Sequence, residues 1–128
     1  NYRCQRVAVE FCTVANENPD LFGLRGSKNL CIEVKVSRSD FKADAKKKHR
    51  TTSLGIGATR YYMVPENLIQ PEEVLNGWGL IYYDGKNFTV VKESEYFESR
   101  DFYSELCIME SLIRRLAGTR KILDFRKK

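Results

Sequence analysis

Two carboxylates and a lysine stand at a spacing that can carry phosphodiester chemistry. Pro19-Asp20 precedes, by twelve residues, the run Ile32-Glu33-Val34-Lys35-Val36. Successive side chains of a β-strand point to opposite faces. Ile32, Val34 and Val36 would therefore share one face and Glu33 and Lys35 the other. Two acids and an ammonium at a sheet surface can hold a divalent cation, activate a water and offset the charge of a phosphodiester. A Glu and a Lys two apart are also ordinary on a solvated strand, so residue types alone leave both readings open.

The elements that must position these residues follow from periodicity. Residues 5–14 alternate as a strand, with Glu10 opposite Val7, Val9 and Phe11. Residues 20–24 form a short strand, 25–29 a hairpin loop by composition, and 30–36 a third strand. Their short connections predict an antiparallel meander. Ser37-Arg38-Ser39-Asp40 fits the Ser-x-x-acid capping pattern and opens a helix that runs to residue 48. Residues 60–64 form a fourth strand ended by Pro65, and reaching it through a helix predicts a parallel crossover. Residues 70–75 form a short helix with Pro71 in its first turn, and residues 79–83 and 87–91 pair as a hairpin. The last element is an amphipathic helix over residues 100–117, capped by Ser99 and ended by Gly118. Phe102, Leu106, Met109, Ile113 and Leu116 give it an apolar face suited to a core or to an interface.

The chain has 128 residues, 30% of them charged and 42% hydrophobic, which predicts one soluble globular domain over residues 1–128. No run is long and apolar enough to span a membrane, and residues 1–4 do not open a signal peptide, so a cytoplasmic protein is expected. Cys4, Cys12, Cys31 and Cys107 form no CxxC pair, and three lie in apolar segments. Reduced, buried thiols are a better reading than zinc ligands, with a disulfide left open. The net charge is +5, and residues 35–50 account for all of it. That stretch holds Lys35, Arg38, Lys42, Lys46, Lys47, Lys48 and Arg50 against Asp40 and Asp44. Such a run beside two acids predicts phosphate contacts, because a site built of carboxylates repels a phosphodiester unless cations offset it. A second basic cluster, Arg120, Lys121, Arg126, Lys127 and Lys128, ends the chain. No P-loop, dinucleotide fingerprint, Ser-His-Asp set or zinc pattern is present.

Pro19-Asp20 with Glu33-Val34-Lys35 is a literal instance of the PD-(D/E)xK signature, and here the chain resembles that nuclease superfamily. The continuation through Ser37, Asp40, Phe41 and Asp44 is similar to the MmcB-like DNA repair proteins, in which a Glu-x-Lys strand runs into a Ser-x-x-Asp-Phe helix followed by basic residues. The close match covers residues 8–64. It implies an α/β (α+β) fold with a restriction-endonuclease-like core, a mixed central sheet with an antiparallel meander, flanked by helices. It also asks for a helix before the first strand, so residues 2–14 read either as that strand or as that helix.

The resemblance implies that Asp20 and Glu33 ligate Mg²⁺ or Mn²⁺ with a backbone carbonyl near Val34, and that Lys35 orients or deprotonates the attacking water or holds the phosphate charge. Glu10 is either a third acid or a solvated strand residue. Ser37 and Asp40 cap the helix and could also brace the ligands. Arg38, Lys42, Lys46, Lys47, Lys48, His49 and Arg50 are the expected DNA backbone contacts. The function implied is metal-dependent hydrolysis of DNA in repair or processing. The alternative is a non-catalytic DNA-binding subunit of the same fold. A homodimer or an accessory protein as partner is left open.

Overall fold

In a computed structural model the chain is described over residues 6–9, 20–47, 55–74 and 77–117, with backbone alone for 6–9 and 116–117. Six strands form one sheet in chain order: β1 (Arg6–Val9), β2 (Leu21–Leu24), β3 (Leu30–Val34), β4 (Thr59–Pro65), β5 (Gly79–Tyr83) and β6 (Phe88–Lys92). Helix α1 (Arg38–Ala45) joins β3 to β4, a 3-10 turn (Pro71–Glu73) lies between β4 and β5, and α2 (Phe102–Ala117) follows the sheet. The sheet is mixed. β1, β2 and β3 form the predicted antiparallel meander, β3–β4 and β4–β5 are parallel, and β5–β6 is the predicted hairpin. The fold is therefore of the α/β class, a mixed central sheet flanked by helices.

Both helices pack on one face. Phe41 of α1 and Ile108 of α2 join Phe22, Cys31, Tyr62, Val64, Trp78 and Leu80 in the larger core cluster. Leu30, Tyr61 and Ile81 form a smaller cluster on the opposite face, with Ile32 and Met63 against it. β5 buries Gly79, Leu80 and Ile81 in succession, as a parallel strand enclosed on both faces does. Tyr61 lies so close to Gly79 that a Cβ there would sit 2.3 Å from its ring.

Three expectations change. First, α2 begins at Phe102 and its cap is Asp101, not Ser99, because Asp101 Oδ1 accepts the Ser104 N–H at 3.0 Å. Second, of the two roles left open for the apolar stripe of α2, the core is not the one its exposed residues take: Phe102, Leu106 and Ile113 are exposed, whereas Ser104, Glu105 and Ile108 are buried. The helix is held by ions as much as by hydrocarbon. Glu105 accepts from Arg100 Nε (2.6 Å), Asn29 Nδ2 (2.9 Å) and Gly57 N (3.2 Å). Gly57 sits at φ +90°, and a Cβ there would meet that of Cys31 at 2.8 Å. Third, Val34 and Val36 of the third-strand segment are exposed, while Glu33 is only 3% exposed. The acid, not the valines, faces the helices.

Candidate functional site

β2 and β3 pair with Leu21 opposite Ile32, so the register carried one step further sets Asp20 opposite Glu33. A hydrogen bond fixes this: Asp20 Oδ2 accepts the Val34 N–H at 2.8 Å. The same strand places a carbonyl. Lys35 N–H donates to Met63 O of β4 at 3.0 Å, and all peptide bonds described are trans. The Val34 C=O belongs to that peptide and points the opposite way, toward the β2 side where Asp20 lies. Two carboxylates and a backbone carbonyl thus stand at one end of the β2–β3 ladder.

Glu33 shares a face with its β4 register partner Tyr62, beneath α1. Burying a carboxylate costs several kcal/mol unless cations or donors compensate. An ion held jointly with Asp20 would be such compensation. Hard carboxylate and carbonyl oxygens suit Mg²⁺ or Mn²⁺, so the donor types present fit the cation that the motif implies. Among the described residues no group of three or more acids, histidines or cysteines converges, so the side-chain ligands that these residues offer there are Asp20 and Glu33. Glu10 lies outside the described residues.

Lys35 projects from the same face as Glu33 and meets a residue that sequence reasoning left without a role. Its Nζ lies 3.2 Å from Asp44 Oδ1. Asp44 is 2% exposed, and its other oxygen accepts the Tyr62 hydroxyl at 2.6 Å. Lys47 Nζ reaches Oδ1 from outside at 3.4 Å. Tyr62 is fixed in turn, stacked on Trp78 with ring centres 4.6 Å apart and edge-on to Phe41 at 5.0 Å. The signal for Asp44 was there: it follows Phe41 by three on α1, so it shares the face that Phe41 anchors to the sheet. Tyr62 and Trp78 pack as the sequence predicts, but the Tyr62 hydroxyl also serves this network.

Ser37 caps α1, its side chain accepting the Asp40 N–H at 3.2 Å, and Asp40 itself is exposed. Lys42 and Lys46 are exposed on and just after α1. Arg38 is committed elsewhere. Its guanidinium meets both Glu73 oxygens (2.5 and 3.1 Å) and Leu68 O (3.1 Å), tying α1 to the 3-10 turn. The Arg38 hydrogen bonds, with the Gln70 N–H, hold the Glu73 carboxyl down at about 2, and Glu73 pushes Arg38 above its usual value. Lys48, His49 and Arg50 lie outside the described residues. The neighbouring end of β5 is acidic: burial, then Glu72, Glu73 and Glu66, raises the Tyr82 phenol. A polyanion would meet attraction at α1 and repulsion beyond the turn.

No family model matches the chain, and no curated protein matches it. A solved structure does, the SPO1766 protein of unknown function from Silicibacter pomeroyi. It is 21% identical, with a TM-score of 0.64 over 92% of this chain and 84% of that one. The likeness is one of fold. No helix among the described residues is long and apolar enough to cross a membrane.

Proposed function

We propose that this protein hydrolyses DNA phosphodiester bonds in a metal-dependent reaction, in DNA repair or processing. The observation that carries the reading is the register that sets Asp20 beside Glu33 at the end of β3, with Lys35 on the same face as Glu33 and Glu33 turned inward where a chance polar strand would turn it out. Asp20, Glu33 and the Val34 carbonyl would hold Mg²⁺ or Mn²⁺, whose contribution when bound is to neutralise phosphate charge and activate a water. Lys35 meets the charge that develops on the phosphoryl oxygens in the transition state. Lys42 and Lys46 contact the DNA backbone and so supply affinity without reading sequence. Arg38 is left out of this set because Glu73 holds it.

The test is cleavage of labelled single-stranded, duplex, flapped and branched DNA with Mg²⁺ or Mn²⁺, beside Asp20→Ala and Lys35→Ala. Cleavage abolished by EDTA and by Asp20→Ala, and cut to a small but measurable residual rate by Lys35→Ala, is expected. Absence of cleavage across the panel, with salt-sensitive binding intact, would refute catalysis and leave a DNA-binding subunit of the same fold.

A further inference from the structure

We propose that Asp44 is the positioning residue of the site, fixing the Lys35 ammonium where the phosphate is met. The inference rests on the reading of Asp20, Glu33 and Lys35 as a phosphodiester-cleaving set. A lysine has a flexible four-carbon stem and a compact charge, so an unbraced one samples many places. Lys35 is braced. Its side chain keeps 17% of its exposure, enough to meet a ligand, while the carboxylate that holds it at 3.2 Å keeps 1%.

The brace is rigid behind as well as in front. The Tyr62 hydroxyl donates to the Asp44 oxygen that Lys35 does not use. The Tyr62 ring is clamped by Trp78 and Phe41, and its backbone pairs with Glu33 in the β3–β4 ladder. One run of fixed groups therefore links an acid of the site to its lysine: Glu33 to Tyr62 through the sheet, then Asp44, then Lys35. The second lysine, Lys47, approaches the same carboxylate from solvent with its side chain 53% exposed. Asp44 thus joins the inner ammonium to the start of the basic surface. Lys35 also compensates the charge of this buried carboxylate, so the pair serves the stability of α1 and the placement of the ammonium together. Asp44 itself touches no substrate atom in this scheme and acts through Lys35.

The experiment combines Lys35→Ala, Asp44→Asn, Tyr62→Phe and the Lys35→Ala/Asp44→Asn pair. The first readout is the lysine ammonium NMR signal of the ¹⁵N-labelled protein without DNA. An ordered Lys35 ammonium is expected in the natural sequence, and its order should be lost in Asp44→Asn and reduced in Tyr62→Phe. The second is cleavage with Mn²⁺. Asp44→Asn should lower kcat roughly 10- to 100-fold with little change in KM, in the range seen when a group supporting a site residue is removed. In the Lys35→Ala background the same change should cost less than about twofold, because groups that act as a unit are not additive. Two losses that multiply would overturn the inference, since they would mean that Asp44 acts independently of Lys35. A Lys35 ammonium equally ordered in Asp44→Asn would overturn it too. If Asp44→Asn does not fold, Tyr62→Phe, which keeps the stacked ring, decides: unchanged ammonium order and unchanged kcat refute the brace. If the natural sequence cleaves nothing, the nuclease reading fails while the NMR comparison still judges the tether.

Discussion

Replacing Arg100 by Met should be among the most damaging single changes in this protein, although it lies outside the candidate site. Arg100 donates from Nε to Glu105 at 2.6 Å, from one terminal nitrogen to Phe97 O at 3.2 Å, and from the other to Ser27 O. Both charged side chains are 3% exposed. Methionine keeps most of the stem's packing and removes the charge, so the loss comes mainly from a carboxylate left buried with Asn29 and Gly57 as its remaining donors. Breaking a buried pair from one side costs about 3–5 kcal/mol. For a chain of 128 residues each kcal/mol is worth about 4 °C of Tm, so a drop of roughly 12–20 °C is expected. Removing the stranded charge should restore part of the loss: Arg100→Met/Glu105→Gln should melt about 5 °C or more above Arg100→Met. The exposed pair Arg114–Glu110, one turn apart on α2, is the control, and Arg114→Ala should shift Tm by about 2 °C or less. Calorimetry at neutral pH reads all of these. An Arg100→Met drop no larger than that of Arg114→Ala, or a double variant melting below the single, would refute the reasoning.

Other expectations can be checked on the same protein. Leu106→Gln should leave Tm within about 2 °C, whereas Ile108→Ala should cost about 2–5 kcal/mol, because only the second faces the core. Glu73 is held at about 2 in the folded state against an ordinary 4.5, so its pairing stabilises fully above pH 4.5 and is lost as pH falls toward 2. In pH-dependent melts the difference between the natural sequence and Glu73→Gln should accordingly shrink across that window, and a constant difference would argue against the pairing. Lys42→Ala and Lys46→Ala should each reduce the salt dependence of DNA binding by about one counterion in fluorescence anisotropy, while Arg38→Gln should leave that slope unchanged. A loss of slope in Arg38→Gln would show that DNA displaces Glu73.

The strands were legible because alternation and turn residues mark them locally, and the crossover at α1 was legible because a strand–helix–strand path predicts parallel pairing. The Asp20, Glu33 and Lys35 set was legible as a spacing. Its depth was not. Periodicity states that two faces exist and leaves open which is covered, and here α1 covers the polar one, so Glu33 is buried and Val34 exposed. The same ambiguity left the stripe of α2 open between core and interface. Its stripe of Phe102, Leu106 and Ile113 looks like a core face, yet Glu105 is drawn inward by Arg100 and Asn29, partners 5 and 76 residues away. Asp44 could be placed on the Phe41 face, but its pairing with Lys35 depends on how α1 turns back over β3.

The order of the sheet bears on how the chain assembles. Each strand pairs with its neighbour in sequence, from β1 to β6 without an exchange. A growing sheet can therefore add strands as they follow one another, each closing a short or moderate loop whose entropy cost rises only slowly with length. The Asn29–Glu105 contact is different, since it joins β3's start to α2 across 76 residues. Contacts that distant slow folding most, and this one depends on a sheet already in place. The buried ions of α2 should accordingly form late, so their loss would appear mainly as faster unfolding, with the rate of sheet formation little changed.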